Sequence, residues 1–496
     1  MGAILSPVRK AFRTLAGLTL LNRGKIRDLY ALPDEQYLLF VASDGISVFD
    51  VVLNAMIPNK GYVLNLMSHF WFMFLENRGV KTHFVAAGAA IDAYLPESLR
   101  GDSDLQARAM VVRNVKPEEY EYVYRDELTG SGLTEYLEKG SVCGHLLPDG
   151  LQDGDKLPYP IFTPTTKEES GHDTAVSAAV VREKYPEESK RGHSIFRHAV
   201  AYAKQRGVVI ADTKFEFGRH ADGTIYLIDE VLSPDSSRFW LQNEWLEAQA
   251  KTERKSPSSY DKQPVRDAAK KLGIHKLDNQ SETDLQKAWD WELPTELISA
   301  TTARYRYIFW RLTGMTIEQY AEKLGVSLPR PRRNVAIVVG SDSDLTDEVK
   351  RVIKAESGKI SVVNVSVVSC HRNTPDLAEI AANRSPTIDL DDVDVFIAGA
   401  GWAAQLPGML DAMLFHNGRR IPVVGLAFGT EGTKEFDAAR LSIECLPSNP
   451  VIINELTGQA YANAGGLSEI FRRLATGELP PAKPRKEKPA QFNVPI

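Results

Sequence analysis

Residues 208–240, VVIADTKFEFGRHADGTIYLIDEVLSPDSSRFW, decide how the larger part of the chain is read. Two runs in which apolar and polar residues alternate flank a short connection holding Asp222 and Gly223, and this period of two predicts a β-hairpin. Successive side chains of a strand point to opposite sides of a sheet, so Asp212, Lys214 and Glu216 share one face of the first strand. The second strand ends in Asp229 and Glu230. Symmetric pairing about the loop predicts that Asp212 and Asp229 lie near one another, two carboxylates with a lysine between them. Hard cations such as magnesium take oxygen ligands, commonly one or two carboxylates plus the oxygens of a nucleotide. Lysine is a compact charge suited to phosphate. The competing reading of the same residues is a solvated edge hairpin whose charges pair across strands.

Two parts of this stretch, IADTKFEFG and LIDEVLSPDSSRFW, resemble the signature segments of the SAICAR synthetase family, purine-biosynthesis ligases that join aspartate to a carboxylated aminoimidazole ribonucleotide with ATP. Other segments carry the resemblance in the same order. GKIRD, with Lys25, is similar to the family's opening motif, and ASDGISVFD, with Ser47 and Asp50, to the stretch after it, with Gly45 where the family usually has arginine. Arg125 and the following LTGSG, with Ser131, are similar to a ribonucleotide-contacting segment whose Gly-Tyr pair is here Asp126-Glu127. PIFTPTTKEESGHD, with Lys167, His172 and Asp173, resembles a substrate loop, and SYDKQPVRD at 259–267 matches again. The likeness runs over about residues 24–324.

The resemblance implies an α+β domain related to kinase and ATP-grasp folds, with ATP and Mg2+ as cofactors. It implies Asp212 and Asp229 as metal carboxylates, and Asp212 with Lys214 at the chemistry. Lys25, Glu216, Asp229 and Glu230 are expected around the nucleotide. Ser47, Asp50, Arg125, Ser131, Lys167, His172, Asp173 and Arg238 are expected around the ribonucleotide and aspartate. In the implied reaction ATP phosphorylates the imidazole carboxylate, and the aspartate amine displaces phosphate to leave an amide. Positioning and charge neutralisation do most of that work.

At 496 residues the chain is long enough for two to four domains. Lys and Arg number 59 against 65 Asp and Glu, a formal charge of -6 with no large basic block, so nucleic acid is not an expected partner. Cys143, Cys370 and Cys445 are few and far apart, which argues against a disulfide framework or zinc cluster and fits a reducing cytoplasm. No stretch reaches the roughly 18 apolar residues of a membrane helix. MGAILS fits a short acylation pattern that occurs often by chance, and one acyl chain anchors only marginally, so no membrane partner is expected. Helical spacing is expected at 64–77 and again at 195–207.

SLPRPRRN, residues 327–334, reads as a linker between a domain at 1–326 and one at 335–478, with a Pro/Lys-rich tail at 479–496. From Val335 apolar strands alternate with helices: VAIVVG, TDEVKRVIKAE, ISVVNVSVV, TPDLAEIAANR, VDVFIAGAG, LPGMLDAML and IPVVGLAFG. This predicts an α/β three-layer, doubly wound parallel sheet with ligands at the carboxyl ends of its strands. Ser341, Ser343 and Asp344 follow the first strand, where helix-start N–H groups favour phosphate. Ser369, His371 and Arg372 close the second strand, and Gly399 and Gly401 the third. A structural histidine and ordinary glycine turns are the competing reading.

Together GSDSD, SCHRNTPD, AGAGWAAQLPGM and LSIECLP resemble the aminoimidazole ribonucleotide carboxylase/mutase family over about residues 334–475. Arg372 directly after His371 is similar to the bacterial mutase class, which uses an N-carboxylated substrate; the animal class uses carbon dioxide. Trp402 and Gln405 replace a glycine and a histidine of the family pattern. The implied role of His371 is proton delivery and removal, which a free imidazole titrating near about 6.5 suits. The expectation is a bifunctional cytoplasmic enzyme. Its second domain carboxylates an aminoimidazole ribonucleotide, from bicarbonate, CO2 or the N-carboxylated substrate, and the first joins aspartate to the product. The resemblance also suggests a homo-oligomer, an octamer built on the second domain. The rival expectation is an active ligase whose second domain is a non-catalytic oligomerisation module.

Overall fold

The stretch beginning at Val208 forms one long strand, Val208–Arg219, with different neighbours along its length. Its C-terminal part pairs antiparallel with Ile225–Ile228 across a turn in which Gly223 has a φ of 84°. Its N-terminal part lies between Ser237–Leu241 and Tyr120–Glu127, both antiparallel to it. The register differs from symmetric pairing about the loop. Glu216 is opposite Ile228, so Asp229 falls level with Phe215, about 10 Å along the strand from the level of Asp212 at some 3.3 Å per residue. Asp229 also takes a φ of 59° and turns away from the strand direction. The partners opposite Asp212 are Arg125 and Arg238. The expected Asp212–Asp229 carboxylate pair therefore does not form, because distant segments and an irregularity between Ile210 and Asp212 set the surroundings.

The computed structural model describes residues 15–167, 174–278, 281–328, 333–355, 360–402, 405–446, 450–477 and 479. The acylation-like start, His172, Asp173 and tail residues 480–496 lie outside these. The chain divides into two compact units between Pro329 and Arg330, inside the span read as a linker.

In the first unit a second, five-stranded antiparallel sheet runs in the order Thr19–Arg23, Arg27–Ala31, Tyr37–Ala42, Ala109–Arg113, Phe84–Ala87. Helix Lys60–Glu76 buries Val63, Leu64, Leu66, Met67, Trp71, Phe72 and Leu75, an apolar band at helical spacing. Helix Pro186–Lys204 packs on the long strand. It starts well before the expected residue 195 because Pro186, followed by Glu187 and Glu188, is suited to a helix's first turn.

In the second unit five strands, all paired in parallel, have the order Ile360–Val367, Arg333–Val339, Val395–Ala400, Val423–Ala427, Tyr461–Ala462. Alternate residues of the first strand feed two cores. Val335, Ile337 and Val339 cluster with Val349, Leu467 and Ile470 on one face, and Ala336 and Val338 with Leu377, Leu406 and Leu410 on the other. That is the three-layer α/β arrangement. The strand order 2-1-3-4-5 reverses between the first and third strands, where sheets of this kind leave a crevice for ligands. The fifth strand spans only Tyr461–Ala462, too short for an apolar pattern to reveal.

Candidate active site

Three alternate residues of Val208–Arg219 organise the polar side chains of the first unit. At one end Asp212 Oδ2 accepts from Arg125 Nη1 at 2.5 Å and from Arg238 Nη1. Arg125 also donates from Nε to Thr163 Oγ1 at 3.0 Å and from Nη2 to Ser131 Oγ at 3.1 Å. Helix Gly130–Lys139 begins against these guanidinium groups. A Cβ on Gly130 would lie 2.4 Å from Arg238 Nη2, and Gly130 has a φ of 57°, so glycine serves both the close approach and the backbone there. Burial pulls the Arg125 guanidinium below its ordinary value against the opposing pull of Asp212, and Arg238 adds to the burial effect. Two arginines sharing one carboxylate beside a serine and a helix start leave a net positive site for a phosphate or carboxylate.

Two residues along, Lys214 Nζ donates to Glu121 Oε1 at 2.5 Å and to Glu216 Oε1 at 2.9 Å. Lys167 donates to the other oxygen of Glu216. Burial pushes the Glu216 carboxyl up, but Lys214 and Lys167 outweigh it and hold the group at about 2. Burial likewise opposes charge on Lys214, and Glu216 and Glu121 overcome it, so the lysine remains an ammonium.

Asp229 belongs to this end of the strand. Burial, with repulsion from Glu216 next, pushes its carboxyl up to about 6 against the attraction of Arg27. Arg27 donates to Asp229 Oδ1 at 3.3 Å and to Glu230 Oε2 at 2.5 Å. Among the described residues no cluster of three or more His, Cys, Asp or Glu side chains is placed to hold a metal. Magnesium commonly takes only one or two protein carboxylates, with substrate phosphates and water completing its shell. Glu216 and Asp229 fit that requirement: they repel each other within a buried region, and a dication between them relieves the repulsion. Asp212, bonded to Arg125 and Arg238, stands further along the strand and is not level with Asp229, so it does not complete a carboxylate pair with it.

Lys25 Nζ meets Asp50 Oδ1 at 2.5 Å, and Ser47 lies buried in the strand Gly45–Val48 just before Asp50. Other charged residues join the first unit's network without having been assigned roles from sequence. Lys60 is fully buried and donates to Asp235 Oδ2 at 2.6 Å, while the Tyr305 hydroxyl donates to Asp235 Oδ1 at 2.6 Å. Burial opposes ionisation of Asp235, but Lys60 and Lys262 hold it well below the usual carboxylate range. Lys262 is pulled down to about 8 by burial despite Asp235. Arg266 lies within electrostatic reach of Arg238, Asp261 and Asp212. The available signal was their place inside SPDSSR and SYDKQPVRD, and for Arg27 its place inside GKIRD; Lys60, Tyr305 and Glu121 carried none.

In the second unit the three loops at the carboxyl ends of adjacent strands carry the expected polar groups. Ser341 Oγ accepts from the Ser343 hydroxyl at 2.9 Å, and the Ser341 N–H donates to Asp344 Oδ2 at 2.9 Å. Burial pushes the Asp344 carboxyl up, while backbone N–H groups of Ser341, Gly401 and Gly340 oppose that shift. Asp344 therefore ties the loop after the first strand to the loop after the third. A Cβ on Gly340 would lie 2.8 Å from Ala400 Cβ, and one on Gly399 2.6 Å from the Leu426 carbonyl oxygen, so both glycines permit close strand ends. His371 and Arg372 are exposed at the end of the second strand. His371 Nδ1 lies 3.4 Å from Cys370 Sγ, and the Arg372 N–H donates to Ser369 Oγ at 3.3 Å.

A charged ladder on an α+β unit, followed by an α/β unit with serine, histidine and arginine in the loops at the carboxyl ends of neighbouring strands, fits a two-domain enzyme for phosphate-bearing substrates. Comparison makes the class specific: residues 20–282 match SAICAR synthetase and residues 334–469 match AIR carboxylase. The chain belongs to the SAICAR synthetase family and carries an AIR carboxylase domain fused after it. It is 41% identical over 328 residues to the phosphoribosylaminoimidazole-succinocarboxamide synthase of Azoarcus sp. (strain BH72), with 61% of this chain and 97% of the relative covered. The corresponding synthase of Bordetella petrii is 42% identical over 318 residues, covering 60% and 97%. The solved SAICAR-synthase from Saccharomyces cerevisiae complexed with SAICAR aligns with a TM-score of 0.51 and 36% identity, covering 61% of this chain and 97% of that one. The protein is thus a purine-biosynthesis enzyme with a ligase unit and a carboxylase/mutase-family unit. A second unit that serves only for oligomerisation is not favoured. Among the described residues no helix is long and apolar enough to cross a membrane.

Proposed function

We propose that the first unit joins aspartate to a carboxylated aminoimidazole ribonucleotide using ATP, and that the second unit makes that ribonucleotide. The observation carrying the first half is the ladder on one strand, with an arginine pair at Asp212 and a carboxylate pair at Glu216 and Asp229. The four residue steps from Asp212 to Glu216 span about 13 Å at strand rise, room for the reacting carboxylate between two anionic groups. Arg125, Arg238 and Ser131 hold the ribonucleotide end. Lys25 and Lys214 neutralise nucleotide phosphate, with Asp50 orienting Lys25. Glu216 and Asp229 would hold Mg2+, which when bound supplies charge neutralisation at the nucleotide phosphates. The ribonucleotide carboxylate attacks the terminal phosphorus and ADP leaves; the neutral aspartate amine then attacks the acyl carbon, phosphate leaves, and the nitrogen gives up one proton and keeps the other as the amide N–H. Lysine and arginine charges fixed before the reaction lower the barrier by meeting the developing negative charge.

In the second unit Ser341, Ser343 and Arg372 receive the phosphate or carboxylate of an aminoimidazole ribonucleotide, and His371 moves the proton at the ring. Arg372 beside His371 supports the N-carboxylated compound as carboxyl donor. A cytoplasmic homo-oligomer assembled through this unit completes the proposal. The test supplies the full chain with ATP, Mg2+, aspartate and the carboxylated ribonucleotide. Separately, it supplies aminoimidazole ribonucleotide with bicarbonate or its N-carboxylated form. Succinocarboxamide product in the first mixture and carboxylated ribonucleotide in the second are expected; absence of either product refutes the corresponding half, and bicarbonate-only turnover refutes the donor assignment.

A further inference from the structure

The loop after the third parallel strand contains a residue whose backbone and exposure are hard to reconcile with packing alone. Trp402 has a φ of 55°, in the left-handed region that bulky side chains rarely adopt, and its relative exposure is 68%. An exposed indole gains little from the core in return for that conformation. Strained residues of this kind persist where the surrounding structure or a ligand over-determines them.

The location points to the ligand. Trp402 follows Gly401, whose N–H reaches Asp344 in the loop after the first strand. The two loops flank the switch point of the sheet, and the His371 loop stands one strand further on. The loop ends at His371 and Trp402 are thus separated by two strand spacings, about 10 Å. The first strand, which lies between them, ends in Gly340, and a Cβ there would meet the Ala400 methyl at 2.8 Å, so no bulky side chain rises between these two strand ends. Serine hydroxyls in the middle loop suit a phosphate, and an indole at one margin suits a flat, electron-rich ring. We propose that Trp402 forms an aromatic wall on which the aminoimidazole ring of the substrate stacks, holding the ring towards His371. This deepens the carboxylase reading of the second unit and rests on it.

The experiment uses the full chain and two probes, aminoimidazole ribonucleotide and ribose 5-phosphate, the second lacking the ring. Calorimetric binding is measured for the parent, W402G and W402F, with sedimentation for assembly state. Glycine accepts the observed φ, so W402G should fold with an unchanged or higher melting temperature. It should bind the ribonucleotide about ten-fold more weakly, the scale of one aromatic stack, and bind ribose 5-phosphate as the parent does. W402F should stay within about three-fold of the parent for both probes. Equal weakening for both probes, or unchanged ribonucleotide affinity in W402G, overturns the inference. Altered sedimentation with unchanged discrimination between the probes assigns Trp402 to a contact between copies and overturns it too. A parent that binds neither probe refutes the carboxylase reading itself, whereas a parent that binds and a W402G that binds equally well refutes the stacking alone.

Discussion

Replacing Asp229 by asparagine should stabilise the first unit at alkaline pH while removing its ligase activity. The carboxyl stands at about 6 in the fold against 3.8 for the unperturbed group, because burial and Glu216 disfavour its charge. The folded chain therefore holds the proton more tightly than the unfolded chain. The resulting penalty is absent below the unfolded value, grows between the two values and is complete above about 6. A shift of two units corresponds to roughly 3 kcal/mol. The side chain retains 27% of its exposure and the substitution weakens its 3.3 Å contact with Arg27. These reduce the expected gain to about 1–2 kcal/mol at pH 8. For a unit of this size that is a rise in midpoint of about 2–4 °C, vanishing near pH 4. The assay is calorimetry of the full chain at both pH values, following the transition of the first unit, together with ligase rates over a magnesium titration. Ligase turnover should fall about a hundred-fold or more. A lower midpoint at pH 8, or a gain of equal size at both pH values, would refute the electrostatic reasoning; normal turnover at saturating magnesium would refute the metal assignment.

Asp212→Asn should behave in the opposite way for stability, since it leaves Arg125 and Arg238 sharing a neutral partner in a buried position. The expected loss is about 3 kcal/mol, read as a lower calorimetric midpoint of the first unit with a weaker affinity for the ribonucleotide. Lys25 is 52% exposed and paired with Asp50, so Lys25→Ala should leave the midpoint within about 1 °C but raise the ATP concentration needed for half-maximal ligation; an unchanged ATP dependence refutes its phosphate role. His371→Asn is close in size but cannot titrate, and should stop carboxylation while preserving ribonucleotide binding and the ligation of supplied carboxylated substrate; carboxylation at the parent rate refutes the proton-transfer role.

The βα alternation after Val335 was legible because parallel strands covered on both faces read as continuous apolar runs, and their helices show their own spacing. The carboxyl-end rule then placed Ser341, His371 and Gly401 at the carboxyl ends of strands before any contact was known. That Lys214 and Glu216 share a face also follows from strand geometry, and their 2.9 Å bond agrees with it. What lies opposite them does not follow from strand geometry. Arg125 is 87 residues from Asp212, and Lys60 is 175 residues from Asp235, separations across which periodicity carries no information. Sequence by itself determined the shared face of the long strand's charged residues, the βα alternation of the second unit and the family. Tertiary structure decided that Asp212 serves an arginine pair and that Asp229 joins Glu216, because β-register depends on long-range pairing and the left-handed turn at Asp229 redirects its carboxylate.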